Sequence, residues 1–291
     1  MSRAFRIVNV FTRDGAPLSG NPLCVFEDAR GLDAATMQAL ALQLNLSETT
    51  FVLPPSDPAR ADARVRIFTP TFEIPFAGHP TLGTASVLLA AHGDASASVT
   101  LELAAGLVTV TRSGDRYTLR TARAPRTRPP EAPRETLAAM LGLPPEAIAD
   151  APLWVDTGVE QLMIPLTSEA YVRAAVPDPA LLLRWGCSEG RREAMVGVWA
   201  SSSLEANDQP WNVRFFFTVH GAVIEDPATG SACANLGGWW HARGLPLPLA
   251  ATLHQGDAVG RPSRLHLSVG EDGAIRVAGA CIEVARGAFS S

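Results

Sequence analysis

The chain has no lysine, and all 24 of its basic residues are arginine. That absence excludes catalysis through a lysine Schiff base, and with it pyridoxal-phosphate enzymes and lysine aldolases. It also excludes a P-loop, whose lysine is essential to its phosphate cradle. Cysteine is scarce and scattered: Cys24, Cys187, Cys233 and Cys281 form no CxxC pair, which points to a reduced, cytoplasmic setting. Histidine is equally dispersed, with no HxxxH or HxH spacing among His79, His92, His220, His241, His254 and His266, so no metal site is expected. There is no excess of positive charge (formal net charge −5, pI near 5.7) and no basic cluster, which argues against a nucleic-acid partner. No apolar run is long enough to cross a bilayer, so no membrane partner is expected. Met1 to Val10 reads as a strand and not as a signal peptide.

What is present is organised around two glycine turns. Glu225-Asp226-Pro227-Ala228-Thr229-Gly230-Ser231-Ala232 runs into an apolar helix pattern from about Ser231 to Ala242, with Gly244 as its stop. Far upstream, Ala77-Gly78-His79-Pro80-Thr81 leads into a second apolar pattern, Leu82 to Ala91, which Gly93 can close. Each turn follows a strand-like run opening on arginine, Arg66 to Pro70 and Arg214 to Thr218, and Pro80-x-x-Gly83-Thr84-Ala85 echoes Pro227-x-x-Gly230-Ser231-Ala232. The first amides of a helix lack internal partners, so each turn is a seat for a carboxylate or a developing negative charge. Both helices are apolar all round, as buried helices are. Short strands with alternating patterns surround them, notably Val99 to Leu103, Leu107 to Thr111 and Arg116 to Thr121. The expected fold is therefore α+β: two pseudo-symmetric lobes, each a curled, mostly antiparallel sheet around a buried central helix. The proline- and arginine-rich stretch Ala124 to Pro133 is the expected crossing. It gives an N-terminal lobe over residues 1–123 and a C-terminal lobe over 124–276, with a last strand at about 277–291 returning to the first.

Five segments in order, Gly20-Asn21-Pro22, Asn45-Leu46-Ser47-Glu48-Thr49, Phe68-Thr69-Pro70, Gly78-His79-Pro80-Thr81 and Glu225 to Ala232, resemble the phenazine-biosynthesis isomerase-like (PhzF-like) family over nearly the whole chain. The resemblance implies a diaminopimelate-epimerase-like fold with one site in a cleft between the lobes. It also implies catalysis without metal or organic cofactor, and a homodimer. Carried over by position, Glu48 matches the family's general acid/base, His79 the histidine of its Gly-His turn, and Asp226 and Ser231 the polar residues of its second turn. Gly78 and Gly230 match the glycines whose amides hold substrate, and Ser231 and Asn21 join the substrate-binding set. The family's best-understood member isomerises a dihydro-hydroxyanthranilate. The related epimerases place a cysteine in each turn; this chain has Ala77 and Pro227 there, so a two-thiol mechanism is not expected.

Each residue also has a plainer reading. Glu48 lies three residues after Asn45 and could cap a helix boundary; Asp226 could be an N-cap; Arg66 and Arg214 suit structural ion pairs better than substrate clamps; Trp239 and Trp240 suit core packing. The expected function is a cofactor-independent isomerase that shifts a proton on a small carboxylate-bearing metabolite, with Glu48, His79 and Asp226 catalytic. An amino-acid-type epimerase or racemase without the cysteine pair, and a non-catalytic small-molecule binding protein, are the alternatives.

Overall fold

The computed structural model describes residues 2–91, 97–149, 151–201 and 210–290. Gly93, the expected helix stop, and most of the polar loop expected at 201–210 lie outside the described residues. The architecture is mixed α/β and dominated by strands. Contacts divide the chain into two compact units, Met1–Arg120 with Ala278–Ser291, and Thr121–Val277.

The first unit opens with β1 (Ser2–Val10), β2 (Asn21–Phe26), α1 (Ala34–Leu44), β3 (Glu48–Leu53), β4 (Ala63–Phe68) and β5 (Glu73–Ile74). It continues with α2 (Gly78–Ala91), β6 (Ser98–Leu103), β7 (Gly106–Ser113) and β8 (Arg116–Arg120). Asp33 caps α1 by accepting from the Thr36 amide at 2.8 Å, and Asn45 ends it in the left-handed region at φ 51°. β1 pairs antiparallel with β2, and β2 parallel with β3. β3 and β5 each pair antiparallel with β4, which pairs parallel with β6, and β6 leads antiparallel to β7. The long last strand, β17 (Ile275–Ser290), lies antiparallel to β1, with Val10 opposite Cys281.

The second unit contains β9 (Arg126–Arg128), α3 (Arg134–Met140), β10 (Leu153–Asp156), β11 (Glu160–Pro165), α4 (Glu169–Ala174), α5 (Pro179–Trp185) and β12 (Met195–Ala200). β13 (Trp211–Val219), β14 (Ala222–Asp226), α6 (Gly230–Ala242), β15 (Leu249–Gln255) and β16 (Ser263–Val269) follow. Its ladder repeats the first unit's pattern step for step. β10 to β11 is antiparallel and β11 to β12 parallel. β12 and β14 flank β13 antiparallel, β13 to β15 is parallel, and β15 to β16 is antiparallel. The segment expected to be only a crossing contains β9, which pairs with β10.

Each unit ties its β-hairpin with the same bidentate fork. Arg66 grips Glu73 at 2.8 and 2.6 Å and lies 5.0 Å from the Phe68 ring centre. Arg214 grips Glu225 at 3.1 and 2.7 Å and lies 4.8 Å from Phe216. Arg214 also donates to the carbonyls of Val172, Arg173 and Ala175 at the C-terminus of α4, where a cation offsets the helix dipole. Both arginines are thus committed to ion pairs. The hairpins differ in length, two residues in β5 against five in β14.

The central helices are buried on all sides. Ten of the fourteen residues of α2 and ten of the thirteen of α6 are buried. α2 packs on β1, β2, β3, β6, β7 and β8, and α6 on β9, β10, β11 and β16. Trp239 and Trp240 belong to the second core, in ring contact with Trp199 and Trp211, and their indoles donate to the Ala151 and Pro246 carbonyls, both at 2.9 Å. Helix and strand approach so closely that side chains are excluded at some positions. A Cβ on Gly238 would sit 2.8 Å from Val155 Cγ1 and 2.9 Å from Pro125 Cβ. Neither a β-branched residue nor a proline ring can rotate away. Gly238→Ala is therefore expected to destabilise the protein by about 1–3 kcal/mol through overpacking, despite a gain of ~1 kcal/mol in helix propensity. A urea midpoint at or above that of the parent would contradict this.

Candidate active site

The residues that converge in the first unit are Glu48 and His79. Once Asn45 has closed α1, the chain turns into β3 with Glu48 as its first residue. Glu48 is therefore a strand residue and not a helix cap. Alternation along β3 puts Glu48 on the same side as Thr50, and Thr50 Oγ1 lies 2.8 Å from Thr84 Oγ1 of α2. Glu48 consequently faces the central helix. His79 comes from the first turn of that helix, which begins at Gly78, four residues earlier than the apolar pattern suggests. The hydroxyl of Thr81 secures this turn by donating to the Ala77 carbonyl at 2.7 Å. His79 Nε2 and Glu48 Oε2 are 3.3 Å apart, with side-chain exposures of 7% and 17%.

Burial pushes the His79 imidazole down from 6.5 to about 3, against the opposing effect of a hydrogen bond to the Pro22 carbonyl. The ring is thus neutral. Nε2 is the nitrogen facing Glu48, so Nδ1 carries the proton and donates it to Pro22. Nε2 is left as an acceptor, suited to receive a carboxyl O–H from Glu48. The separation is long for a formed hydrogen bond, as is common before a ligand is bound. Gly20-Asn21-Pro22 provides the carbonyl that sets this tautomer. Gly20 adopts φ +76°, and a Cβ there would meet the Val10 carbonyl oxygen at 2.5 Å, so only glycine lets the chain enter β2 this way. Asn21, the first residue of β2, is fully buried opposite Val10.

In the second unit the polar residues gather where β14 meets α6. Asp226 ends β14 and is not the N-cap of α6; that position belongs to Thr229. The Thr229 hydroxyl donates to Asp226 Oδ2 at 2.5 Å instead of capping its own helix. Gln255 of β15 accepts from the Thr229 amide at 3.1 Å and donates to Thr229 Oγ1 at 2.9 Å and the Asp226 carbonyl at 2.8 Å. Ser231 Oγ accepts from Gln161 Nε2 at 2.8 Å. Asn235, wholly buried in α6, holds Gln161 in turn. Gly230 is the first residue of α6.

Sequence reasoning missed Gln161, Asn235, Thr229, Gln255 and the Pro22 carbonyl. One signal was available: Asn235 is a polar residue in the apolar middle of its helix, and a buried amide needs partners. Among the described residues no group of His, Cys, Asp and Glu is placed to hold a metal ion. Cys233, inside α6, has its thiol pushed up by burial, the opposite of a reactive thiolate.

A family model described as phenazine biosynthesis-like protein matches residues 8–287. The chain is 39% identical to an uncharacterized isomerase of Pasteurella multocida, covering 98% of this chain and 93% of the relative. It is 34% identical to the trans-2,3-dihydro-3-hydroxyanthranilate isomerase of Pseudomonas aeruginosa, covering 89% and 88%. The crystal structure of a Bacillus anthracis phenazine biosynthesis protein superposes with a TM-score of 0.86 and 23% identity over the whole of both chains.

Neutral burial of His79 has a measurable consequence. The unfolded chain binds a proton on this histidine below about pH 6.5, while the folded protein refuses it down to about 3. Its contribution to stability is therefore complete above pH 6.5 and is lost as pH falls towards 3, with a slope of up to ~1.4 kcal/mol per pH unit. Urea midpoints measured across that range should show the decline, and His79→Gln should flatten it. An equal slope in the variant would mean that His79 is protonated in the fold.

Proposed function

The chain belongs to the phenazine biosynthesis-like family, and on that basis we propose that it is an isomerase moving a proton between carbons of a small cyclic carboxylate, without metal or organic cofactor. The single observation that supports this most strongly is the contact between Glu48 and a neutral, buried His79. In this reading the Glu48 carboxylate takes a proton from an activated carbon. The carboxylic acid so formed is held by His79 Nε2, which can accept its O–H, exchanges its proton with solvent, and returns a proton at another position. Pro22, by holding Nδ1–H, keeps His79 an acceptor throughout the cycle. Asp226 is assigned a second proton movement at oxygen or nitrogen, and Asn21 and Ser231 substrate contacts. The amides of Gly78 and Gly230, at the starts of α2 and α6, are assigned to substrate carboxylate or developing enolate-like charge. Helix-dipole terms of ~0.3–1 kcal/mol each fall well short of a barrier reduction of ~8 kcal/mol or more. Positioning of the reacting carbon against Glu48 must supply most of it.

The substrate class follows the Pseudomonas relative, and trans-2,3-dihydro-3-hydroxyanthranilate is the first compound to try. The family resemblance also supports a cytoplasmic homodimer. No described helix is long and apolar enough to cross a membrane. Light scattering on the purified protein would measure the oligomer directly.

Proton NMR in D2O provides the decisive assay, run on that compound and a small panel of cyclic and amino carboxylic acids. Deuterium should enter at one carbon, and Glu48→Gln should slow its entry by roughly 10²–10⁴-fold, the usual contribution of a general base. Exchange at the parent rate in Glu48→Gln would remove Glu48 from the mechanism. Exchange with inversion of a stereocentre, and no shift of a double bond, would make the enzyme an epimerase.

A further inference from the structure

The hydrogen bonds behind Ser231 run in one direction, and from that direction we infer that Gln161 and Asn235 are positioning residues that force the Ser231 hydroxyl to act as a donor to an anionic oxygen of the substrate. The inference rests on Ser231 being a substrate contact, as proposed above, and assigns its polarity.

The argument starts at the buried end. Asn235 Oδ1 accepts twice from Thr157, from the amide at 3.0 Å and the hydroxyl at 2.7 Å. Its Nδ2 donates twice, to the Val159 carbonyl at 2.9 Å and to Gln161 Oε1 at 2.8 Å. Reversing the amide would set its NH2 against the Thr157 N–H and its oxygen against the Val159 carbonyl. With both backbone partners fixed in kind, the orientation of Asn235 is fixed. Gln161 Oε1 is then an acceptor by necessity, and Gln161 Nε2 is the group that donates to Ser231 Oγ at 2.8 Å. Gln161 and Asn235 are 1% and 0% exposed, so water cannot exchange with these bonds and loosen their direction.

Ser231 therefore accepts a hydrogen bond from inside the protein, and its own proton points to another acceptor. Half-buried in the first turn of α6, it stands beside amides that Thr229 leaves uncapped, because the Thr229 hydroxyl is committed to Asp226. A hydroxyl donor next to helix amides that carry no side-chain cap from Thr229 suits a carboxylate or an oxyanion and disfavours an ammonium or another donor. Ser231 thus meets the ligand as a donor, while Asp226 is oriented by Thr229 and Gln255.

Neutron diffraction on deuterium-exchanged crystals of the full chain tests the direction itself. The expected map has a deuteron on Gln161 Nε2 aimed at Ser231 Oγ, and the Ser231 deuteron turned away from Gln161. A Ser231 deuteron aimed at Gln161 would overturn the inference, whatever the enzyme's substrate. Kinetics supply the second arm, with trans-2,3-dihydro-3-hydroxyanthranilate as the probe. Ser231→Ala and Gln161→Glu should each lower kcat/KM by roughly 10- to 100-fold, as expected for a lost hydrogen bond to a charged group. In Gln161→Glu the carboxylate draws the Ser231 proton inward while still accepting from Asn235. Introduced into Ser231→Ala, the Gln161 change should cost less than threefold, because its effect passes through the missing hydroxyl. Full additivity would mean that Gln161 acts on structure in general. Failure to turn over the probe would count against the proposed substrate alone, with the neutron map still deciding the direction of the chain.

Discussion

The structure depends on burying a helix on every side within each of its two compact units. A helix satisfies its own backbone only in its interior; its first amides have no internal partner. When the flanks are sealed by strands, the N-terminal turn is where polar chemistry concentrates. In α2 that turn carries His79, and in α6 it carries Ser231, with Asp226 just before it. Close packing makes this geometry rigid. Gly238 lies where a methyl group would strike Val155 and Pro125, and Gly83 where one would strike Leu23 and Val10. The apolar contacts that stabilise each core, about 1.5–3 kcal/mol for a fully buried large side chain, also fix the direction in which each turn points.

Within that frame, polar groups acquire function through direction more than through strength. His79 is neutral because it is buried, and its tautomer is set because one nitrogen meets the Pro22 carbonyl. The Thr229 hydroxyl accepts from Gln255, so its proton goes to Asp226. Asn235 is locked by the Thr157 amide, which can only donate, and the Val159 carbonyl, which can only accept, and it orients Gln161 in turn. A side chain with two possible polarities thus becomes a group with one. The Arg66–Glu73 and Arg214–Glu225 forks secure the strand hairpins that lead into the two turns.

Much of this was legible in the sequence, for reasons that can be named. The apolar stretches Leu82 to Ala91 and Ala232 to Trp240 are too uniformly apolar for a surface helix, so their burial was readable. Asp33 and Asn45 are a cap and a left-handed terminator of ordinary kind, and α1 lies between them. The paired glycine turns, each preceded by an arginine-led strand, correspond to a ladder of strand pairings that occurs in the same order in both units. The short helices α4 and α5 and the strand β15 were harder to read. β15 alternates through Leu249, Ala251, Leu253 and Gln255 on its buried face, and an alanine and a glutamine conceal the hydrophobic signal. The start of α2 was misplaced because Gly78, His79 and Pro80 resemble a loop, although a proline in the first turn needs no N–H partner.

By itself, the sequence determined the chemical inventory and the local order: no lysine nucleophile, no thiol in either turn, a carboxylate at position 48, and two buried helices each led in by a glycine turn. These are matters of composition and of periodicity over a few residues, where near neighbours dominate the energy. Tertiary structure decided which groups meet and with which polarity. Glu48 and His79 are 31 positions apart, and Gln161 and Ser231 are 70 apart. Their separations of 3.3 and 2.8 Å arise from strand register and helix packing, which sum contributions from the entire core. The protonation of a histidine and the direction of a hydroxyl depend on desolvation and on partners distant in the chain, and only the folded protein brings these together.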